Sequence, residues 1–323
     1  MQNFGLALGF QTYSKESNSF MINRYEHKDV TWLEVLKPTS DEIREIFTEC
    51  DLPATFAGDL TSMTPLTEVK SEKGALKITL DFPIVKRTDM KHPHEVKFIM
   101  TKTHLVTIRF EDIGAIENFA KSFEVLTLLK SKRERGTGAH LFLSLLTSMY
   151  ENMSTKLDYL ESRMRTAEDE LLSDHEKEML YEISDINRRI ISFRHTLNAH
   201  DMALAQLEER VVDAFGKTYT SRVHSLRSTY LQLTERVGAF SHTIENLRDT
   251  NNTLLSAKQN EVMKNLTVMA FVTFPLTLFA SIFGMNTTTT PLVGYQHDFW
   301  VIVGFMVLVS IGFFFYFKHK HWF

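Results

Sequence analysis

The sequence predicts an α+β membrane protein, with an N-terminal α/β/α domain in the cytoplasm, a long helical stalk and two C-terminal transmembrane helices. Three observations predict it. Charged residues are frequent up to Lys264, then vanish from Leu266 to Met285 and again from Phe299 to Phe317; each run is close to the roughly 20 apolar residues a spanning helix needs. Ahead of them lie helical stretches whose apolar residues recur at steps of three and four, the spacing of a heptad seam. Ahead of those, short β-branched runs are bounded by turn residues. These shifts divide the chain into 1–135 (α/β/α domain), 136–264 (coiled-coil stalk), 265–318 (membrane hairpin) and 319–323 (basic tail). Within the hairpin the spans are 266–285 and 299–317, joined by an outer loop over 287–298.

In the first segment, Val30 to Leu36 and Leu76 to Val85 read as strands. Val96 to Met100 and Leu105 to Phe110 read as a β-hairpin turning across Thr101 to His104. Helices are expected over Asp41 to Glu49, after Ser40, and over Ile113 to Leu129. No P-loop, Gly-rich dinucleotide turn or paired-histidine zinc helix is present, and no nucleophile–base or metal-hydrolase constellation marks an enzyme. His92 and His94 flank Pro93 and read as solvated loop histidines rather than a metal site.

The stalk begins at Gly138. Its first seam is Leu146, Met149, Met153, Leu157, Leu160, Met164, Ala167 and Leu171. Ser173 and Glu176 have capping-box spacing and start a second helix. That helix carries the seam Ile183, Ile186, Ile190, Phe193, Leu197, Leu204, Leu207 and Val211. His200 is the one polar member of this seam and reads as a tolerated or hydrogen-bonded seam residue rather than a ligand. Gly216 marks a second break. The third seam runs Tyr219, Val223, Leu226, Tyr230, Leu233, Val237, Phe240, Ile244 and Leu247; Asn251 interrupts it and Leu254 resumes it. Nothing between Ser221 and Met285 forces a stop, since the lone Gly238 costs only about 1 kcal/mol. At 1.5 Å per residue one helix of that extent is roughly 100 Å long, and it must pack against the two preceding helices or against copies of itself.

Two spans with a short loop fit a membrane hairpin better than a buried soluble one, because soluble core helices rarely run this long without a charge. Lys258 and Lys264 precede the first span, and Lys318, His319, Lys320 and His321 follow the second, whereas the loop has no Lys or Arg. Positive residues stay inside, so both termini are placed in the cytoplasm. Tyr295, Trp300, Tyr316 and Trp322 stand where aromatic belts form. The start of the chain shows no signal or transit peptide. The single cysteine, Cys50, cannot form an internal disulfide, which suits a reducing compartment. A net charge of −4 implies no nucleic-acid partner.

Two spans cannot enclose an aqueous path, so conduction would need several copies around an axis. On the first span, Asn260, Met263, Thr267, Ala270, Phe274, Thr277 and Ser281 share one face. Val268, Val272, Leu276, Phe279 and Ile282 lie opposite. Small and hydroxyl residues also mark helix–helix contacts in membranes, so periodicity leaves pore lining and packing both open. The face carries no carboxylate. Mg²⁺ gives up water reluctantly, and neutral oxygens can hold a hydrated ion without trapping it, as conduction requires. Phe274 and Leu266 supply candidate apolar constrictions. A zinc path would show His or Cys ligands, and none lies between Asn246 and Gly294.

At the outer end of the first span stands Gly284-Met285-Asn286. With Asn260-Glu261-Val262-Met263-Lys264 at the inner entrance and Phe274-Pro275-Leu276-Thr277 between them, the segment resembles the CorA family of two-span divalent-cation channels. The resemblance covers the whole chain in architecture and about residues 246–317 in motif. It implies a funnel-shaped homopentamer whose first span lines the pore, with Asn286 ringing a hydrated cation at the turn made by Gly284. Its pore positions fall on Asn260, Leu266, Phe274 and Thr277, where many relatives have Met at position 274. The transported ion it implies is Mg²⁺, with Co²⁺ or Ni²⁺, and no cofactor is implied.

The sequence departs from the family after the signature, where relatives of the best-known type carry an acidic loop. Here Thr287-Thr288-Thr289-Thr290-Pro291 follows, and Asp298 is the only acidic loop residue. Family members close when Mg²⁺ binds acidic residues between neighbouring cytoplasmic domains. The matching stretch reads His224-Ser225, without that carboxylate; Glu209 or Asp213 are candidate substitutes, with solvated surface charge as the other reading. Two further functions stay open: a Zn²⁺ transporter on the same scaffold, which His297 beside Asp298 would serve, and a non-conducting tether or sensor built on the heptads.

Overall fold

The structure is a computed structural model that describes residues 22–27, 29–64, 67–83, 94–128, 136–171, 176–285 and 296–320. The chain divides into two compact units, Met1–Leu247 and Arg248–Phe323.

The first unit holds a six-stranded sheet of order β1-β2-β6-β5-β4-β3. Its strands are β1 (Ile22–His27), β2 (Val30–Leu36), β3 (Glu68–Glu72), β4 (Ala75–Phe82), β5 (His94–Met100) and β6 (His104–Arg109). β2 pairs parallel with β6, and all other neighbours are antiparallel. The expected hairpin is present: β5 and β6 pair from Val96↔Arg109 to Met100↔Leu105. The Thr101 N–H donates to the His104 carbonyl at 2.9 Å across its turn.

Alternation along the strands sends side chains to both faces. On one face Leu33, Val35, Ile99, Val106 and Ile108 form a core with Ile43, Ile46 and Cys50 of α1 (Ser40–Cys50) and with Leu52, Phe56 and Leu60 beyond it. On the other, Trp32 meets Phe119 and Phe123 of α2 (Gly114–Leu128), and Phe98 meets Phe142 of α3 (Gly138–Leu171). The layers are therefore α/β/α.

Several expectations need correction. β1 and β3 were not foreseen: both are edge strands whose sequences, INRYEH and EVKSE, show little apolar alternation because only one side is paired and packed. The cap of α1 is Thr39, not Ser40: Thr39 Oγ1 accepts from the Glu42 N–H at 3.3 Å, and the Thr39 N–H donates to Glu42 Oε2 at 2.7 Å. β4 ends at Phe82, and positions 84 and 85 lie outside the described residues. His94 heads β5 instead of sitting in a loop, with Nδ1 2.7 Å from Glu111 Oε2. His92, Pro93, Leu129 and Ser173 lie outside the described residues.

α3, α4 (Glu176–Phe215) and the first part of α5 (Thr220–Phe283) form the helical part of this unit. The seams of α3 and α4 are buried throughout, as is that of α5 from Val223 to Leu247. Gly216 breaks the chain between α4 and α5 at φ +103°, a conformation glycine adopts without strain. Arg236 ties α5 to α3, donating to Ser154 Oγ at 2.8 Å and to Asp158 Oδ1 at 2.6 Å. The Tyr230 hydroxyl donates to the Leu197 carbonyl of α4 at 3.0 Å. α5 is continuous over 64 residues, about 96 Å at 1.5 Å per residue.

His200 joins helices to sheet. Its Nε2 lies 2.7 Å from the Asp81 carbonyl, which can only accept, so Nε2 carries the proton. Nδ1 then accepts from the Tyr150 hydroxyl at 3.0 Å. Burial pushes the imidazole pKa down to about 4, against a smaller upward pull from the Asp81 carbonyl, so the ring is neutral. Of the two readings, tolerated or hydrogen-bonded, the structure has the hydrogen-bonded one.

Candidate functional site

The second unit contains the C-terminal part of α5 and α6 (Asp298–His319), the two stretches apolar and long enough to cross a membrane. Very little of either apolar stretch is enclosed within the chain. In water such a surface would drive aggregation; in lipid it is the matched face.

The two helices meet on one side of α5. Phe279 approaches Phe305 with ring centroids 5.4 Å apart, and Phe271 approaches Phe317 at 6.3 Å. Val268 and Phe317 are buried, while Val272, Leu276 and Phe279 are half-buried and Ile282 stays exposed. At about 100° per residue, Val268, Val272 and Phe279 cluster on the side roughly opposite Met263, Phe274 and Ser281. The aliphatic side is thus the one that α6 covers.

The other side is left open. Asn260, Met263, Leu266, Phe274, Thr277 and Ser281 are exposed, and Thr267 and Ala270 are half-buried. Phe274, at 72% exposure, is among the least covered large side chains of the unit. The threonines have a defined chemistry there. Thr267 Oγ1 donates to the Met263 carbonyl at 2.7 Å, and Thr277 Oγ1 donates to the Thr273 carbonyl at 2.9 Å. Each hydroxyl proton is used on the helix's own backbone, so the oxygen presents lone pairs outward. An acceptor is what the water shell of a cation needs, because those waters point their hydrogens away from the ion. This back-bonding is not readable from composition, although a Thr in a helix interior, within reach of the carbonyl at i−4, is its signal.

Pro275 interrupts the ladder of α5 and leaves the Phe271 carbonyl without its helical donor. α5 ends at Phe283. The Gly284 N–H still donates to the Ala280 carbonyl at 2.9 Å, and Met285 N–H reaches Ile282 O at 3.3 Å. A Cβ at position 284 would stand 3.0 Å from the Ala280 carbonyl oxygen, which favours glycine at this exit. Gly284 and Met285 are exposed; Asn286, expected to hold the hydrated cation, lies outside the described residues, as do Thr287 to Tyr295 of the loop. At its far end His297 is exposed, and Asp298 Oδ1 accepts from the Phe299 N–H at 2.7 Å.

In the first unit the regulatory candidates do not converge. Glu209 and Asp213 are exposed on α4, and His224 of α5 has Nδ1 3.5 Å from Glu208 Oε1. Glu208 also receives Arg227 at 2.8 Å. Sequence reading named Glu209 and passed over Glu208, which is the carboxylate that reaches α5. Among the described residues no three His, Cys, Asp or Glu side chains gather to hold a metal within one chain.

Residues 27–319 match the family model described as CorA-like Mg²⁺ transporter protein. The chain belongs to this family. A cobalt/magnesium transport protein CorA from Thermotoga maritima is 25% identical over 228 residues, covering 71% of this chain and 64% of that protein, a little under two thirds of its length. A magnesium transport protein CorA from Helicobacter pylori is 19% identical over 313 residues, covering 95% of each. Among solved structures, the complete CorA magnesium transporter of Methanocaldococcus jannaschii superposes with a TM-score of 0.78 at 20% identity, covering 93% of each chain. CorA proteins are membrane transporters, and the two C-terminal apolar helices of this CorA-family chain are its membrane segment.

Proposed function

We propose that this CorA-family chain is one subunit of a homo-oligomeric channel, a funnel-shaped pentamer, that lets Mg²⁺ enter the cytoplasm and also passes Co²⁺ or Ni²⁺. One observation carries this reading: α6 covers the aliphatic side of α5 and leaves open the side that holds Asn260, Thr267, Thr277 and Ser281. Copies of α5 around an axis would turn these acceptors to a common path. The names of the relatives, cobalt/magnesium and magnesium transport proteins, agree.

Neutral acceptors suit an ion that keeps its water and must leave again. Leu266 and Phe274 would form apolar narrowings between the polar levels. Gly284, Met285 and Asn286 would form the outer filter, with Asn286 binding the cation through its water. The driving force needs no coupled domain: an inside-negative potential of 100 mV contributes about 4.6 kcal/mol for a divalent ion. Basic residues flank the spans on one side only, which supports an orientation with both termini in the cytoplasm; the plasma membrane is the location this reading assigns. Residues 1–135 and the 136–264 stalk then lie inside. Glu209 and Asp213, exposed and one turn apart, are the carboxylates that a regulatory cation between subunits would use, whereas His224 stands against Glu208.

The zinc alternative rests on His297 beside Asp298, and the Asp298 carboxylate is already engaged by the first amide of its own helix. Uptake of Mg²⁺, Co²⁺ and Zn²⁺ into vesicles holding the purified protein separates the readings. Asn286→Ala is expected to abolish selective Mg²⁺ uptake while leaving assembly intact. Unchanged uptake refutes the filter, and silence of the correctly assembled wild type leaves the tether reading.

A further inference from the structure

We infer that the inner end of the membrane hairpin is a binding surface for anionic phospholipid headgroups, formed by Lys264, Lys318 and Lys320. This rests on the channel reading for its orientation only. Three observations carry it. The first is position. The aromatic contacts set α5 and α6 antiparallel, with Phe271 level with Phe317. Lys318 and Lys320 follow Phe317 by one and three residues, and Lys264 precedes Phe271 by seven. At 1.5 Å per residue the three stand within roughly 9 Å of one another along the helix axes, close enough for one charged surface to meet all three.

The second is the lack of partners. In the first unit several arginines are held by carboxylates: Arg109 by Glu34, Arg163 by Glu182 and Asp185, Arg227 by Glu208, Arg236 by Asp158. Among the described residues no carboxylate pairs with Lys264, Lys318 or Lys320, although Glu261 is only three residues from Lys264. A helix-end effect accounts for Lys318 in the last turn of α6. It does not account for Lys264, which is in the interior of α5.

The third is the neighbouring surface. Leu308, Ile311 and Phe315 of α6 are exposed and apolar, so acyl chains can lie along the helix while the headgroup phosphate takes the ammonium hydrogens. The opposite end offers no equivalent, since positions 287–298 contain no Lys or Arg. The site therefore selects one leaflet. Its occupant is an anionic phospholipid such as phosphatidylglycerol, held by charge and hydrogen bonds to its phosphate.

The test uses the full-length protein in mixed vesicles with trace spin-labelled phosphatidylglycerol or phosphatidylcholine, and reads the ratio of the two in the motionally restricted shell. A lysine near an anionic surface is worth roughly five-fold, so the wild-type ratio is expected to be several-fold at low salt. It should fall toward one at about 1 M NaCl, where the screening length is a few ångströms. Lys264→Gln/Lys318→Gln/Lys320→Gln is expected to bring it near one at low salt, and the triple Arg variant to restore it. A wild-type ratio of one, a ratio insensitive to salt, or a preference that survives in the Gln variant overturns the proposal. If the Gln variant fails to insert, the wild-type ratio and its salt titration decide. Mg²⁺ uptake into vesicles of phosphatidylcholine alone is read separately. No uptake with the lipid preference intact refutes the channel and spares the lipid surface; uptake with a ratio of one does the reverse.

Discussion

His200→Gln removes the one buried titratable group that ties α4 to both sheet and α3, and the consequence can be worked out. In the unfolded chain a histidine takes a proton near pH 6.5; folded, His200 refuses it until about pH 4. That is about 2.5 units, and at 1.36 kcal/mol per unit it amounts to about 3 kcal/mol. The sign follows from which state holds more protons. Between pH 6.5 and 4 the unfolded state is protonated at this site and the folded state is not, so stability rises with pH across the window. The contribution is fully present above pH 6.5 and is lost as pH falls toward 4. Glutamine keeps one donor and one acceptor for the Asp81 carbonyl and the Tyr150 hydroxyl but binds no proton. The assay is guanidinium unfolding of the full-length protein in detergent, followed by far-UV circular dichroism from pH 7.5 to 4.5. Wild type is expected to lose about one proton's worth of slope more than the variant, with the variant less stable at pH 7.5. Superimposable pH slopes would refute the neutral, buried assignment of His200.

Gly138→Ala would place a Cβ 2.0 Å from the His104 carbonyl oxygen and 2.5 Å from that of Thr101, so the start of α3 must move off the β5–β6 turn; a loss of at least about 2–3 kcal/mol is expected in the same unfolding assay, and a stability equal to wild type would show that the turn yields freely. Thr277→Val keeps the shape of the open face but removes an acceptor worth about 1 kcal/mol to each water it meets, so Mg²⁺ uptake into vesicles is expected to fall several-fold with assembly unchanged, and wild-type uptake would show that this face does not meet the ion.

Much of the fold was legible because it is written in local periodicity. The heptad seams of α3 and α4 appear in the structure at the residues that the three-and-four spacing selects, and the β5–β6 hairpin closes across the expected turn. α5 runs on to Phe283 because neither Gly238 nor Pro275 ends it, although Pro275 removes one bond from its ladder. The edge strands were not legible. β1 and β3 are paired on one side and mostly solvated, so they lack the alternation that marks a strand packed on the core. His94 was misplaced because a histidine beside a proline looks like a loop, whereas its register opposite Phe82 makes it the first residue of β5.

The candidate site divides in the same way. Spacing put Asn260, Thr267, Phe274, Thr277 and Ser281 on one helical face but left open whether that face packs or lines a path. Only the position of α6, against Phe271 and Phe279, decided which side is covered. The donor role of the threonine hydroxyls likewise depends on backbone geometry.

The sequence by itself therefore determined the two long apolar stretches, the three long helices and which residues share a helical face, because the helix period is a property of neighbouring residues. Tertiary structure alone decided which distant groups meet: the parallel pairing of β2 with β6, the buried Arg109–Glu34 pair, and the reach of His200 across to Asp81. Such contacts join residues up to 119 positions apart. No local pattern encodes them, because a buried polar group is satisfied by whichever partner the closed chain brings within hydrogen-bond distance.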